Sequence, residues 1–182
     1  MASTFDNNLH SEFDCVKDDD EEILWTGKPK FIPYTITGLA AGFGVVIFAS
    51  ISYAMIKYST LPNSFVWFMA IPILFFLWSF LQKLFLYPNT SYAFTNKRVM
   101  IRTGSIGTNF KSIDYDKISD IEVTINIVER AFNVGNIKFF SGMIQADDGV
   151  TSKLYDRWEA IPNVYVIFKK VKLASQRQKN RL

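Results

Sequence analysis

Histidine and cysteine are nearly missing from this chain: His10 and Cys15 stand alone among 182 residues. The one histidine lies in a polar acidic N-terminal stretch and forms no recognisable His-based triad, and with a single cysteine it cannot supply the paired Cys/His spacing of a structural zinc site. A single cysteine excludes an intramolecular disulfide and fits a reducing compartment. No glycine-rich phosphate loop is present. Asp147-Asp148-Gly149 has too few carboxylates in reach for a calcium site and reads as a hairpin turn. His10, with Glu12 and Asp14, lies in a polar acidic stretch and reads as a solvated tail. These absences imply no metal, no cofactor and no catalytic constellation, so a non-enzymatic protein is expected.

Charge is also missing, from two long stretches. Phe31 to Ile56 has no Asp, Glu, Lys, Arg or His, and neither does Phe65 to Gln82. As helices rising about 1.5 Å per residue, both are long enough for a hydrocarbon core of about 30 Å. The sequence therefore predicts two transmembrane helices, at about 31–56 and 65–87. They follow an acidic N-terminal segment, 1–30, that looks flexible up to residue 21. Behind them come a cytoplasmic domain, 88–175, and a basic tail, 176–182. The first run is preceded by Asp18-Asp19-Asp20-Glu21-Glu22 rather than by basic residues, which excludes a secretory signal peptide. Trp25 and Lys28 suit a headgroup layer and are expected to anchor the interface. Gly38 and Gly42, four apart, would let another helix approach closely, either the chain's own second helix or that of another copy, the latter giving a homo-oligomer. Pro72 is expected to kink the second helix.

The net charge of +3 conceals an asymmetry. Residues 1–30 carry a net −5, residues 31–96 a net +2 and residues 97–182 a net +6. The short connection 57–64 has one Lys, whereas Lys97, Arg98 and Arg102 follow the second run. Positive charge on the inner side places both termini in the cytoplasm, as a multi-pass protein of the cytoplasmic membrane.

From Thr90 the pattern becomes β-like. Ser91–Phe94 and Arg98–Arg102 flank a turn at Thr95-Asn96-Lys97. Asn109–Tyr115 offers Phe110, Ile113 and Tyr115 as buried positions, and Ile118–Ile125 alternates with Ile121, Val123 and Ile125 on one face. Asn136–Met143 and Thr151–Ile161 surround the Asp147-Asp148-Gly149 turn. Pro162 is the expected first residue of a helix in which Val164, Ile167, Phe168, Val171 and Ala174 form an apolar stripe. The fold class is membrane α plus β: a two-helix hairpin, then a bent antiparallel sheet or partial barrel with a C-terminal capping helix.

Several short motifs carry a family resemblance. They are Glu22-x-x-Trp25-x-Gly27-Lys28-Pro29; Tyr92-x-x-Thr95-Asn96-Lys97-Arg98-Val99 with Gly104; Asp116-Lys117-Ile118-Ser119-Asp120-Ile121; Arg130-x-x-x-x-Gly135-x-Ile137; and Ile161-Pro162-Asn163. In this order, over about residues 22–175, the chain resembles the bacterial pleckstrin-homology (PH) domain family in its two-helix, YdbS-like membrane-anchored form. The resemblance implies a PH-like fold and no settled activity.

Basic residues are the remaining candidates. Lys97, Arg98, Arg102 and Lys111 lie on or near the first strands, and Arg130 lies in a connection. Lys169, Lys170, Lys172, Arg177, Lys179 and Arg181 follow with no acid after Glu159. The first reading is an interaction module that binds a protein partner or a second copy. The alternative is a surface for anionic lipid headgroups built on Lys97, Arg98 and Lys111. Nucleic acid is not expected, because no aromatic–basic reading surface accompanies the charge.

Overall fold

Short runs of alternating polarity, broken by turns, fold as strands. In the computed structural model the described residues are 11–36, isolated positions between 47 and 57, and 65–180 apart from 106, 148 and 149. The elements are β1 (Ile23–Gly27), α1 (Phe65–Leu86), β2 (Ser91–Thr95), β3 (Arg98–Thr103), β4 (Asn109–Asp114), β5 (Asp120–Thr124), α2 (Ile127–Ala131), β6 (Val134–Asp147), β7 (Val150–Pro162) and α3 (Val164–Lys179). They form two antiparallel sheets, in the orders β1-β2-β3-β4 and β5-β6-β7.

β1 lies before the apolar runs yet pairs with β2 after them, Trp25 opposite Phe94 and Gly27 opposite Tyr92. The segment read as a lead-in to a membrane helix is thus the edge strand of the first sheet. The core fills the space between the sheets and under α3. Tyr92, Phe94, Val99, Ile113 and Tyr115 contribute from one side, Ile137, Phe139 and Trp158 from the other, and Val164, Ile167, Val171 and Ala174 from the helix. Trp158 is fully buried, with the rings of Phe139, Trp25 and Tyr92 at 5.1, 5.5 and 5.6 Å. Each such pair adds about 0.5–1.5 kcal/mol beyond the area it buries.

The stripe expected on the last helix is present, but the helix starts later than Pro162. Pro162 stays in β7 opposite Val134, Asn163 takes a left-handed turn (φ 49°), and α3 begins at Val164. Gly135 sits where this start packs down. A Cβ there would lie 2.8 Å from Val164 Cγ1 and 2.9 Å from Ile125 Cγ1, so the motif around Arg130 and Gly135 depends on a close approach. β6 and β7 form the expected hairpin, with Asp147 opposite Val150.

The two-helix membrane hairpin is corrected. Among the described residues no helix is long and apolar enough to cross a membrane. The multi-pass placement in a cytoplasmic membrane is withdrawn with it, as is a bilayer as partner through spanning helices. Most of the first run, including Gly38 and Gly42, lies outside the described residues. Its described start, 31–36, is helical and docked on the domain: Tyr34 is buried beside Val134 and Ala160, with its hydroxyl 3.5 Å from Thr90 Oγ1. The end of the second run is docked as well, since Lys83 Nζ donates to Glu159 Oε2 at 2.7 Å. The apolar segments therefore terminate in tertiary contacts with the sheets. On α1, Leu74, Phe75 and Trp78 are exposed.

Candidate functional site

Side chains on a strand alternate between faces. On the first sheet, Tyr92, Phe94, Val99, Ile101 and Ile113 point to the core. The opposite face then presents Ser91, Ala93 and Thr95 from β2, Arg98, Met100 and Arg102 from β3, and Phe110 and Ser112 from β4. Phe110 is on this outer face, 38% exposed, and not inside with Ile113 and Tyr115 as the sequence suggested. A three-residue offset from Ile113 puts it on the opposite side.

This outer face is covered. Every residue of β2 is buried, because residues 11–21 lie across it. Phe13 has no exposed surface. It packs on Ala93 and Met100 and meets the Phe110 ring edge-on at 5.9 Å. The acids around it find the basic residues of β3. Arg102 Nη1 is 2.6 Å from Glu12 Oε2, and Lys97 Nζ is 2.5 Å from Asp20 Oδ1. Arg98 forks onto Glu21, donating from Nε to Oε1 at 2.9 Å and from Nη2 to Oε2 at 2.7 Å, and lies 3.3 Å from Asp18 Oδ1. Lys111 pairs with Asp156 of β7.

Glu21 is the centre of this arrangement and is buried. Its carboxylate also accepts from Thr95 Oγ1 at 2.6 Å and from the Asp18 N–H at 3.0 Å. Burial pushes the carboxyl upward. The hydrogen bonds from Arg98, Thr95 and Asp18, with the Arg98 charge, outweigh it and hold Glu21 below its ordinary value of 4.5. Thr95 Oγ1 in turn accepts from the Lys97 and Arg98 N–H groups, and Tyr115 donates its hydroxyl to Thr95 O at 2.9 Å. Burial, then the Glu21 charge, raises the Tyr115 phenol. The β2–β3 turn is therefore built around an acid that arrives from elsewhere in the chain.

A second basic region is organised differently. α3 and the β1 edge enclose a groove of about 460 Å³ lined by Glu22, Leu24, Asn96, Lys170, Leu173 and Arg177, among others. Leu24 and Leu173 are about half exposed. No acid among the described residues pairs with Lys170 or Arg177. Asn96 closes one end, accepting from the Glu22 N–H and donating its own N–H to Glu22 O, both at 3.1 Å.

The other candidates fall elsewhere. Arg130, on α2, lines a separate groove with Asn133, Asn163 and Tyr165 and is not brought near Lys97, Arg98, Arg102 or Lys111. Its neighbour Glu129 is the buried residue there, accepting from the Asn126 N–H at 2.7 Å and from Asn136 Nδ2 at 2.6 Å, which closes a capping box. Trp25 stacks in the core with Phe94 and Trp158, and Lys28 Nζ reaches Pro88 O at 3.4 Å. His10 lies outside the described residues. Among the described residues no group of three or more His, Cys, Asp or Glu could hold a metal. Phe13, Glu21, Thr95 and Leu173 were missed from sequence. The acidic run at 18–22 was the one available signal, and it did not say which acid is buried.

This architecture agrees with the family comparison. The model of the family described as Bacterial PH domain matches residues 27–161, and the chain belongs to that family. No curated protein matches it. Among solved structures it is similar to a DUF1696 family protein with a pleckstrin-homology domain from Shewanella loihica PV-4, at 14% identity, covering 93% of this chain and 96% of that one with a TM-score of 0.43. It is also similar to a pleckstrin-homology domain from Shewanella amazonensis SB2B, at 13% identity, covering 94% and 88% with a TM-score of 0.44. Nothing in these comparisons singles out the two-helix, YdbS-like form.

Proposed function

We propose that this chain is a protein-binding module, and that its partner lays an acidic segment with apolar side chains into the groove between β1 and α3. The observation that carries this reading is the charge of Lys170 and Arg177, which no acid among the described residues pairs, beside the exposed Leu24 and Leu173. Apolar contacts supply affinity in such a groove, and charge supplies steering and register. β1 is an edge strand, so its backbone supports the same reading, because an extended partner segment can add to a sheet edge. The alternative, in which Lys97, Arg98 and Lys111 read anionic lipid headgroups, is disfavoured by their own acids, which already hold all three.

The test is selection of twelve-residue peptides from a random display library on the full chain. Enriched peptides should combine Asp or Glu with Leu, Ile or Phe. Their binding should weaken at least tenfold with Lys170→Glu plus Arg177→Glu, and should fall as salt rises. Peptides whose affinity ignores both substitutions would overturn the groove. Binding to anionic vesicles that is lost with the same two substitutions would replace a protein partner by a lipid surface.

A further inference from the structure

The outer face of the first sheet is covered by a segment that is attached to it almost entirely through side chains. The backbone-to-backbone hydrogen bonds of residues 11–21 are local: Val16 and Lys17 donate to Phe13 O, and Glu21 donates to Asp18 O. Among the described residues the main chain first joins the sheet by a backbone pair at Glu22, whose carbonyl accepts from the Asn96 N–H. Residues 11–21 are held by Phe13 in its apolar seat, by the pairs Glu12–Arg102, Asp20–Lys97, Glu21–Arg98 and Asp18–Arg98, and by hydrogen bonds from Ser91 to Glu12, from Thr95 to Glu21 and from Arg98 to Val16 O. Such a segment can leave without breaking a strand pair. It would uncover one contiguous surface: Ala93, Met100 and Phe110 at the centre, with Arg98, Lys97 and Arg102 around them. Arg102 Nε is buried with no hydrogen-bond partner, so even the closed form leaves one donor on this face unmatched.

We infer that this face is a binding surface for an acidic segment carrying one aromatic side chain, and that residues 11–21 occupy it as an internal ligand that a partner segment of the same chemistry displaces. The internal ligand states the recognition rule. An aromatic ring enters between Met100 and Phe110, an acid immediately before it meets Arg102, and acids seven and eight residues after it meet Lys97 and Arg98. This surface is on the opposite side of the sheet from the core and is independent of the groove beside α3.

The experiment uses the full chain and a fluorescent peptide of residues 11–21 with Cys15 replaced by Ser, followed by anisotropy. Opening the internal segment with Phe13→Ala plus Glu12→Gln should tighten peptide binding at least tenfold over the unaltered chain. Adding Arg98→Ala and Arg102→Ala should remove binding, and a peptide with Phe13→Ala should bind at least tenfold more weakly. Glu12→Gln alone, which leaves Phe13 and Glu21 in place, gives a smaller gain in the same direction and serves if the double variant does not fold. The inference is overturned if the opened chains, with near-ultraviolet dichroism unchanged, bind no better than the unaltered chain. A peptide that competes equally well without its aromatic ring would overturn it too. Lys170→Glu plus Arg177→Glu should leave this binding unchanged, which separates it from the groove.

Discussion

The two basic surfaces carry similar charge and meet different fates. Arg98 and Arg102 stand on a strand face, with Lys97 in the turn before it, and all three are neutralised by acids of the same chain. Lys170 and Arg177 stand on a helix face beside apolar side chains and have no acidic partner among the described residues. Charge counted along a sequence therefore locates cations but does not say which of them are available. Availability was decided by a covering segment with little periodicity of its own.

The comparison can be broken most sharply at Glu21. Glu21→Ala leaves Arg98, which is mostly buried, without its bidentate partner, with the exposed Asp18, the Val16 carbonyl and the Asp114 charge around it. Breaking a buried pair from one side costs about 3–5 kcal/mol. Thermal unfolding should show a drop of about ten degrees, given roughly 2–4 °C per kcal/mol for a chain of this size. An unchanged melting temperature would place Glu21 among ordinary surface acids.

Acid should act on the same contact. Because Glu21 is held below its ordinary value in the folded chain, its contribution is complete above about pH 4.5 and is lost as pH falls through the depressed value. The groups facing it are Arg98, Asp18, Lys97 and the Tyr115 hydroxyl. A dye on Cys15, which is exposed within the covering segment, should report release only below pH 4.5. With Glu21→Gln that transition should be absent or much reduced. Release between pH 5 and 7 would assign the control to another group.

The smallest effect is expected on the helix surface. Lys170→Ala with Arg177→Ala should change stability by no more than about 0.5 kcal/mol, as for surface substitutions that break nothing. A larger loss in denaturant unfolding would mean these cations are already paired within the fold, and the contrast between the two surfaces would vanish.

Much of the sheet domain was legible. The alternation of Tyr92 and Phe94, the turn at Thr95-Asn96-Lys97, the hairpin at Asp147 and the stripe from Val164 to Ala174 all correspond to observed elements, because each is set by local periodicity and turn chemistry. The edge strand β1 was not legible, since its partner lies beyond the apolar runs and five residues carry no long-range signal. Nor was the burial of Ser91, Ala93 and Thr95. Small and polar residues read as a solvent face until Phe13 and Glu21 are laid over them. The apolar runs were read by length and hydropathy alone, which cannot register that Tyr34 and Lys83 are committed to contacts with the sheets. Of the candidate site, the cations were found and their partners were not.

The pairing of β1 with β2 has a mechanical consequence. The described ends of the stretch between Gly27 and Ser91 meet the sheet at one place, where Gly27 faces Tyr92 and Lys28 meets Pro88, and Tyr34 and Lys83 fasten them to the sheets just beyond it. A pull on those ends would load the Tyr34 and Lys83 contacts first and, once they yield, the seam at this end. The ladder would then open like a zipper, Gly27 from Tyr92 before Trp25 from Phe94, instead of resisting in shear along its length. Trp25 rides on the strand that would peel away, so tension on the excursion would be felt directly at the ring stack around Trp158.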